Sequence, residues 1–326
     1  MKLSVVIPAY NAAQFIESSY QSIINQNIDD IEIIYVDNNS TDETSDEIKK
    51  LQQKDKRVSF YFQSKQGAAP TRNKGLVNAK GEYIYFFDVD DGIYPNALSK
   101  MIAVLDVYKN VEAVVGKMVK SQHDIDTTKK PNDETFDVTV NSKPYWGLVW
   151  FSDLSQVVGP PAFMYRRRVF DTIGIYNEDL RIGQDTALDI KLGMTCDIAF
   201  IDMYVYMYYK HTDSTIEKNK KSTPRAFMQW PRLVKEHLPF YLENKTPIAF
   251  DKLLFEQLYK VMGKQVSFTK GFYKRKAIKK DLLKQVSLVE IPFLIRFFMS
   301  ILVVFPLSSV FKFYGYYLVP YIVKKI

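Results

Sequence analysis

Between residues 1 and 120 the chain repeats one pattern: a short apolar run, closed by polar residues, then a stretch with helical spacing. "LSVVIPAY" precedes "AQFIESSYQSIINQ", in which Phe15, Ile16, Tyr20, Ile23 and Ile24 recur at helical intervals. "IEIIYVDNN" precedes "STDETSDEIKKLQQK", which opens with the capping-box pair Ser40 and Glu43. "VSFYFQ" precedes "APTRNKGLVNAK", "EYIYFFDVDD" precedes "NALSKMIAVLDVYK", and "VEAVVGKMV" is a fifth run. Runs that are apolar throughout belong to strands buried on both faces. The spacing therefore predicts an α/β fold, a mostly parallel sheet flanked by helices on both faces. There is no internal repeat.

In such sheets ligands bind outside the carboxyl ends of the strands. Tyr10 and Asn11 follow the first run, Asp37, Asn38 and Asn39 end the second, and Asp88, Asp90 and Asp91 end the fourth. Polar groups from three strands are thus delivered to one edge. Asp88 and Asp90, two residues apart with Gly92 beyond, can both reach one hard cation; Mg²⁺ or Mn²⁺ takes one or two protein carboxylates and fills its shell with phosphate and water. By itself "DVDD" also reads as a solvated turn or a helix cap. An EF-hand is excluded, because Gly92 falls one position early and no Glu closes the loop. Three His and one Cys are too few and too scattered for structural zinc. Neither G-x-G-x-x-G nor G-x-x-x-x-G-K-[ST] is present, which argues against a dinucleotide dehydrogenase and a P-loop NTPase.

The blocks together resemble the family 2 glycosyltransferases of the GT-A fold. "LSVVIPAYNAAQFIESSYQSIINQ", "IEIIYVDNNSTDET" and "GAAPTRNKGLVNAKGEYIYFFDVDDGIYP" carry the match over about residues 1–110; "GPPAFMYRRRVFDTIG" and "GQDTALDIKL" carry a looser one over 159–214. The resemblance implies a metal-dependent, inverting transfer of sugar from a nucleoside diphosphate, UDP favoured, to a saccharide hydroxyl. It implies that Pro8, Tyr10, Asp37 and Asn38 line the base and ribose pocket and that Arg72 faces the diphosphate. It places Asp88-Val89-Asp90 as the D-x-D element, with Asp90 on Mn²⁺ or Mg²⁺ and Asp88 on the ribose or the metal's water. Asp185 becomes the base; Gln184 stands where the family has Glu, and Asn38 where many relatives have a second acid. Without the resemblance, Asp185 reads as a helix cap and Asp189, one turn on, as a solvated helix residue. His211 in "YYKHTDS" matches an element that closes over the diphosphate or metal, although a lone histidine is otherwise a surface residue.

The net charge of +7 is uneven. Residues 261–326 hold twelve Lys or Arg against Asp281 and Glu290, net +10, which leaves −3 for residues 1–260. The end of that segment, "VEIPFLIRFFMSILVVFPLSSVFKFYGYYLVPYIVKKI", is apolar but broken by Pro292, Arg296, Pro306, Lys312 and Pro320. It falls short of the ~20 apolar residues of a spanning helix. Basic clusters beside apolar ones suit an anionic membrane surface, and nucleic acid is not expected; a terminal helix pair packed on protein is the other reading. The expected organisation is a GT-A domain over 1–215 (donor half 1–120, acceptor half 121–215), a helical extension over 216–285, and a membrane-associating tail over 286–326. One cysteine and no leader-like N-terminus point to a cytoplasmic protein, peripheral at the inner face of the membrane. The acceptor would be a saccharide, free or lipid-linked, in capsule, exopolysaccharide or cell-wall synthesis. Self-association is left open. A nucleotidyltransferase and a non-catalytic nucleotide-sugar-binding subunit are the alternatives.

Overall fold

A computed structural model describes residues 1–210 and 225–326. The chain divides into two compact units, 1–218 and 219–326.

The first unit is built on one sheet. Its strands are β1 (Leu3–Ala9), β2 (Ile31–Asp37), β3 (Val58–Phe62), β4 (Tyr83–Phe86), β5 (Gly92–Ile93), β6 (Ala113–Ser121), β7 (Val138–Asn141), β8 (Phe163–Arg166) and β9 (Ile198–Tyr209). The spatial order is β3-β2-β1-β4-β8-β6-β9-β5, with β7 on β9. β3, β2, β1 and β4 are mutually parallel, as the apolar runs require. β8 enters antiparallel to both β4 and β6, so the sheet becomes mixed across its second half. Helices α1 (Ile16–Ile24), α2 (Thr44–Lys54), α3 (Ala68–Asn78) and α4 (Ala97–Val107) make the crossovers.

The order creates an opening. The chain leaves β1 toward β2 on one side and returns as β4 on the other, which is a topological switch point. β1 pairs with β2 along its length, from Leu3 opposite Ile31 to Ala9 opposite Asp37. Its pairing with β4 stops at Val6 opposite Phe86. Val6 O still accepts the Phe87 N–H at 3.0 Å, and beyond it the two strands part. Pro8 lies just past this point. Its missing N–H falls on the side where pairing with β4 has ended, so no ladder bond is lost there.

The expected capping box does not form. α2 begins at Thr44; Glu43 before it makes no side-chain cap, and Asp42 Oδ1 accepts the Thr44 N–H at 3.1 Å. Ser40 is instead turned onto Asp37, donating its hydroxyl to Oδ1. The polar segment 122–137 is irregular before β7, and Ile125 lies against Gly92.

Two further helices complete the unit, α5 (Tyr145–Ser152) and α7 (Gln184–Thr195), with the short α6 (Val169–Ile173) between them. α5 and α7 touch backbone to backbone: a Cβ built on Gly193 would stand 2.3 Å from Gly147 N. Two glycines permit that approach, and it fixes where α7 begins.

The second unit is helical. Its longest helix, Ile248–Phe268, buries Phe250, Leu254, Leu258, Met262 and Val266, a strict four-residue stripe. Residues 286–326 share that core. Ile295, Met299, Leu302, Tyr314 and Val319 are fully buried, and Tyr314 donates its hydroxyl to Tyr259 O at 2.7 Å. The boundary expected at 285/286 is therefore not a division between cores: buried apolar residues of the tail pack with the long helix.

Candidate active site

The carboxyl ends of β1 and β2 are laced together. Asp37, almost fully buried at the end of β2, accepts Ser40 Oγ and Ser40 N (3.3 Å) on Oδ1 and Ser45 Oγ (2.7 Å) on Oδ2. Asn11, in the left-handed region with φ 48°, accepts the Thr41 N–H at 2.8 Å, and its own N–H goes to Ser40 Oγ at 2.9 Å. Tyr10 projects from this lacing and is exposed; Pro8 is half-buried behind it. Asn38 was expected to offer its amide to a base. Both amide hydrogens are taken, by Gln63 O at 3.0 Å and Lys65 O at 2.7 Å, and Oδ1 accepts the Gly67 N–H at 2.7 Å. Asn38 therefore braces the ends of β2 and β3 against the start of α3, and its remaining capacity is one Oδ1 lone pair.

α3 carries Arg72, and this buried guanidinium is the hub of the site. Arg72 donates to Asp88 Oδ1 at 2.6 Å and its guanidinium lies 5.5 Å from the centre of the Tyr176 ring. Burial disfavours its charge, but Asp88, Tyr176 and Asp185 outweigh that and raise its pKa. Tyr176 is held in turn by Asn73. The Asn73 amide donates to Tyr176 O at 2.8 Å and accepts the Tyr176 N–H at 3.0 Å, and it also donates to Glu178 at 3.1 Å.

Past β4 the chain turns at once, with the Asp91 N–H on Asp88 O at 3.1 Å. Asp88 and Asp90 are half-buried, Val89 is buried, and Asp91 is turned inward. Asp91 Oδ1 accepts the Tyr209 N–H at 2.9 Å, which ties the acidic turn to β9. Burial, then the charges of Asp88 and Asp90, push its carboxyl well above the usual range.

α7 brings the acceptor-side acids. Asp185 lies in its first turn, half-buried, with Oδ1 accepting the Thr186 N–H at 2.8 Å. Asp189, expected at the surface, is buried to 1% exposure. Its face of α7 is turned toward β8, where Tyr165 OH is 3.5 Å from Oδ1. Burial, then Asp185, raise its pKa well above the carboxylate range, and Arg72 only partly offsets this. His211 lies outside the described residues.

The structure thus brings Arg72, Asp88 and Asp185 into one electrostatic cluster, linked through Asn38 and Gly67 to the Asp37 pocket. Several buried polar atoms here have no hydrogen-bond partner: Arg72 Nε, Asp91 Oδ2, Tyr176 OH, Gln184 Oε1 and Asp189 Oδ2. Buried polar atoms are normally satisfied, so such a concentration marks a place for a polar ligand. Among the described residues no group of three or more His, Cys, Asp or Glu is arranged to hold a metal by itself. Asp88 and Asp90 supply two carboxylates, which suits a hard cation completed by ligand oxygens. Tyr176, Asn73, Ser45 and Asp189 were not anticipated; each is an ordinary residue until the fold gathers it.

The sequence model of the family described as Glycosyl transferase family 2 matches residues 4–174. The GalNAc(5)-diNAcBac-PP-undecaprenol beta-1,3-glucosyltransferase of Campylobacter jejuni is 39% identical over 103 residues, 31% of this chain and 33% of that protein. The uncharacterized glycosyltransferase EpsJ of Bacillus subtilis is 25% identical over 218 residues, 66% of this chain and 63% of its own length. The chain thus spans less than two thirds of the length of either relative. Two solved structures share the fold. S. aureus TarS 1-349 in complex with UDP-GlcNAc gives a TM-score of 0.65 at 17% identity, covering 100% of this chain and 92% of that one. The mannosyltransferase PcManGT from Pyrobaculum calidifontis, in complex with GDP-Man and Mn2+, gives 0.54 at 15% identity, covering 99% and 86%.

Proposed function

The chain belongs to glycosyl transferase family 2, and we propose that it moves a sugar from a nucleoside diphosphate to a saccharide hydroxyl with inversion. The observation that carries this reading is the cluster of Arg72, Asp88 and Asp185 at the switch point, with unpartnered polar atoms around it. Base and ribose would enter the laced pocket of Pro8, Tyr10, Asp37 and Asn38. UDP is the favoured nucleotide. The diphosphate would meet Arg72, whose planar donors match phosphate oxygens and whose Nε has no partner.

Asp88 and Asp90, with His211 as a further candidate, would hold Mn²⁺ or Mg²⁺. When bound, such an ion supplies Lewis-acid stabilisation of the departing diphosphate. The protein's own groups do the rest. The acceptor oxygen attacks the anomeric carbon opposite the diphosphate. A carbon–oxygen bond forms as the sugar–phosphate bond breaks, and the electron pair leaves on the diphosphate. The acceptor proton passes to Asp185. Its Oδ1 is held by the Thr186 N–H, which leaves Oδ2 to receive the proton. One displacement inverts the centre.

The acceptor we favour is a lipid-linked saccharide, in capsule, exopolysaccharide or cell-wall synthesis at the inner face of the membrane. The undecaprenol-linked substrate in the name of the Campylobacter relative supports this, as does the basic second unit. Among the described residues no helix is long and apolar enough to cross a membrane.

Release of nucleoside diphosphate from UDP-, GDP-, CDP- and dTDP-sugars, with and without Mn²⁺, tests the reading. Asp185→Asn should lower turnover by about 10²–10⁴ while leaving donor binding intact. Full turnover in Asp185→Asn would remove it as the base.

A further inference from the structure

The second unit carries a row of aromatic rings on its surface. Phe293 stacks on Phe297 at 6.0 Å, Phe297 meets Phe298 at 5.7 Å, Phe298 stacks on Phe313 at 5.5 Å, and Phe313 on Tyr317 at 6.1 Å. Four of the five are exposed: Phe293 by 70%, Phe297 by 48%, Phe313 by 49% and Tyr317 by 70%. A contiguous exposed apolar strip is costly in water and marks a surface meant to be covered.

Charge says what covers it. Arg296, exposed between Phe293 and Phe297, and Lys312, exposed beside Phe313, rim the row. The helix bearing the first rings, Phe293–Val304, packs on the basic helix Phe272–Gln285. Arg275 of the basic helix donates to Val303 O at 2.7 Å, and Lys279 donates to Ser300. A second copy of this chain docked row to row would bring an equal excess of positive charge against the row and repel it. An anionic surface would be attracted.

Length says how the row meets that surface. Phe293–Val304 has 12 residues, about 18 Å against the ~30 Å hydrocarbon thickness. It can lie in an interface but not cross it. Aromatic rings between basic residues are the composition of in-plane binding.

We propose that the row Phe293–Phe297–Phe298–Phe313–Tyr317 seats in the headgroup layer of an anionic membrane, with Arg296 and Lys312 on lipid phosphates. This rests on the reading of a membrane-side enzyme and gives that partner its contact surface.

The test is flotation of the full chain with vesicles of phosphatidylglycerol in phosphatidylcholine, and with phosphatidylcholine alone. The native chain should float with the first and little with the second, and high salt should release it. Phe293→Ser with Tyr317→Ser should weaken partition at least about tenfold without moving the thermal midpoint, since both rings are exposed. Arg296→Glu with Lys312→Glu should abolish the preference for the anionic lipid. Equal binding by the ring variant, equal binding to both vesicles, or no binding overturns the proposal. So does a native dimer that the ring variant splits while neither binds vesicles. Binding of UDP, GDP, CDP and dTDP with Mn²⁺, followed in parallel, separates the two readings: absence of all four beside intact flotation removes the donor site and leaves this surface standing.

Discussion

Asp189 is the residue whose surroundings depart furthest from its type. It is one turn beyond Asp185, buried, with one oxygen unpartnered. Its folded-state pKa is raised well above 3.8 by burial and by Asp185. A raised carboxylate pKa means that the folded chain holds the proton more tightly than the unfolded chain does. The stability tied to that proton is complete below the unfolded value and is lost as pH rises through the folded one. Asp189→Asn keeps the shape and cannot ionise. Its advantage over the native chain should be absent near pH 3 to 4 and grow as pH rises above it, because only the native carboxyl is favoured by ionising in the unfolded chain. Thermal midpoints across pH measure this; an Asn variant less stable at neutral pH would contradict it. The acids at strand ends were legible in the sequence because the apolar run before them announces a strand. Asp189 was not: in "QDTALDIKL" nothing says which helix face is covered, and β8, which covers it, comes from a distant stretch. Asn38 was legible as a strand-end residue, but its three main-chain partners were not.

At the scale of elements, β1 to β4 could be read because parallel strands buried on both faces leave unbroken apolar runs. β8 could not be parsed, because "FMYR" is four residues long and pairs antiparallel on both sides. The start of α2 was misplaced because Ser40 Oγ donates to Asp37 and accepts the Asn11 N–H, and so is not turned to a helix N–H. α7 holds Asp185 at one end and meets α5 through Gly193 and Gly147 toward the other. A Cβ at Gly193 would meet Gly147 N at 2.3 Å and Gly147 Cα at 2.8 Å, backbone atoms that cannot rotate away. Gly193→Ala should therefore cost about 1–3 kcal/mol in urea unfolding and lower turnover as α7 shifts. An unchanged denaturation midpoint would mean that the two helices separate freely and do not set the position of Asp185.

For the whole molecule, composition separated what the fold later divided. The basic excess lies within the second unit, and the acidic strand ends lie within the first. Sequence could not show that the tail shares a core with the helix Ile248–Phe268, because its apolar residues serve both that core and an exposed row of rings. In the first unit, Arg72, Asp88 and Asp90 are proposed to gather a nucleoside diphosphate at the switch point of the sheet. The direct measurement is calorimetric binding of UDP, GDP, CDP and dTDP, with and without Mn²⁺, to the native chain and to Asp90→Ala. Binding of one nucleotide that needs the metal and is lost in Asp90→Ala is the predicted result. Absence of binding by every nucleotide under every condition would contradict it and return the acids after β4 to a turn with no ligand.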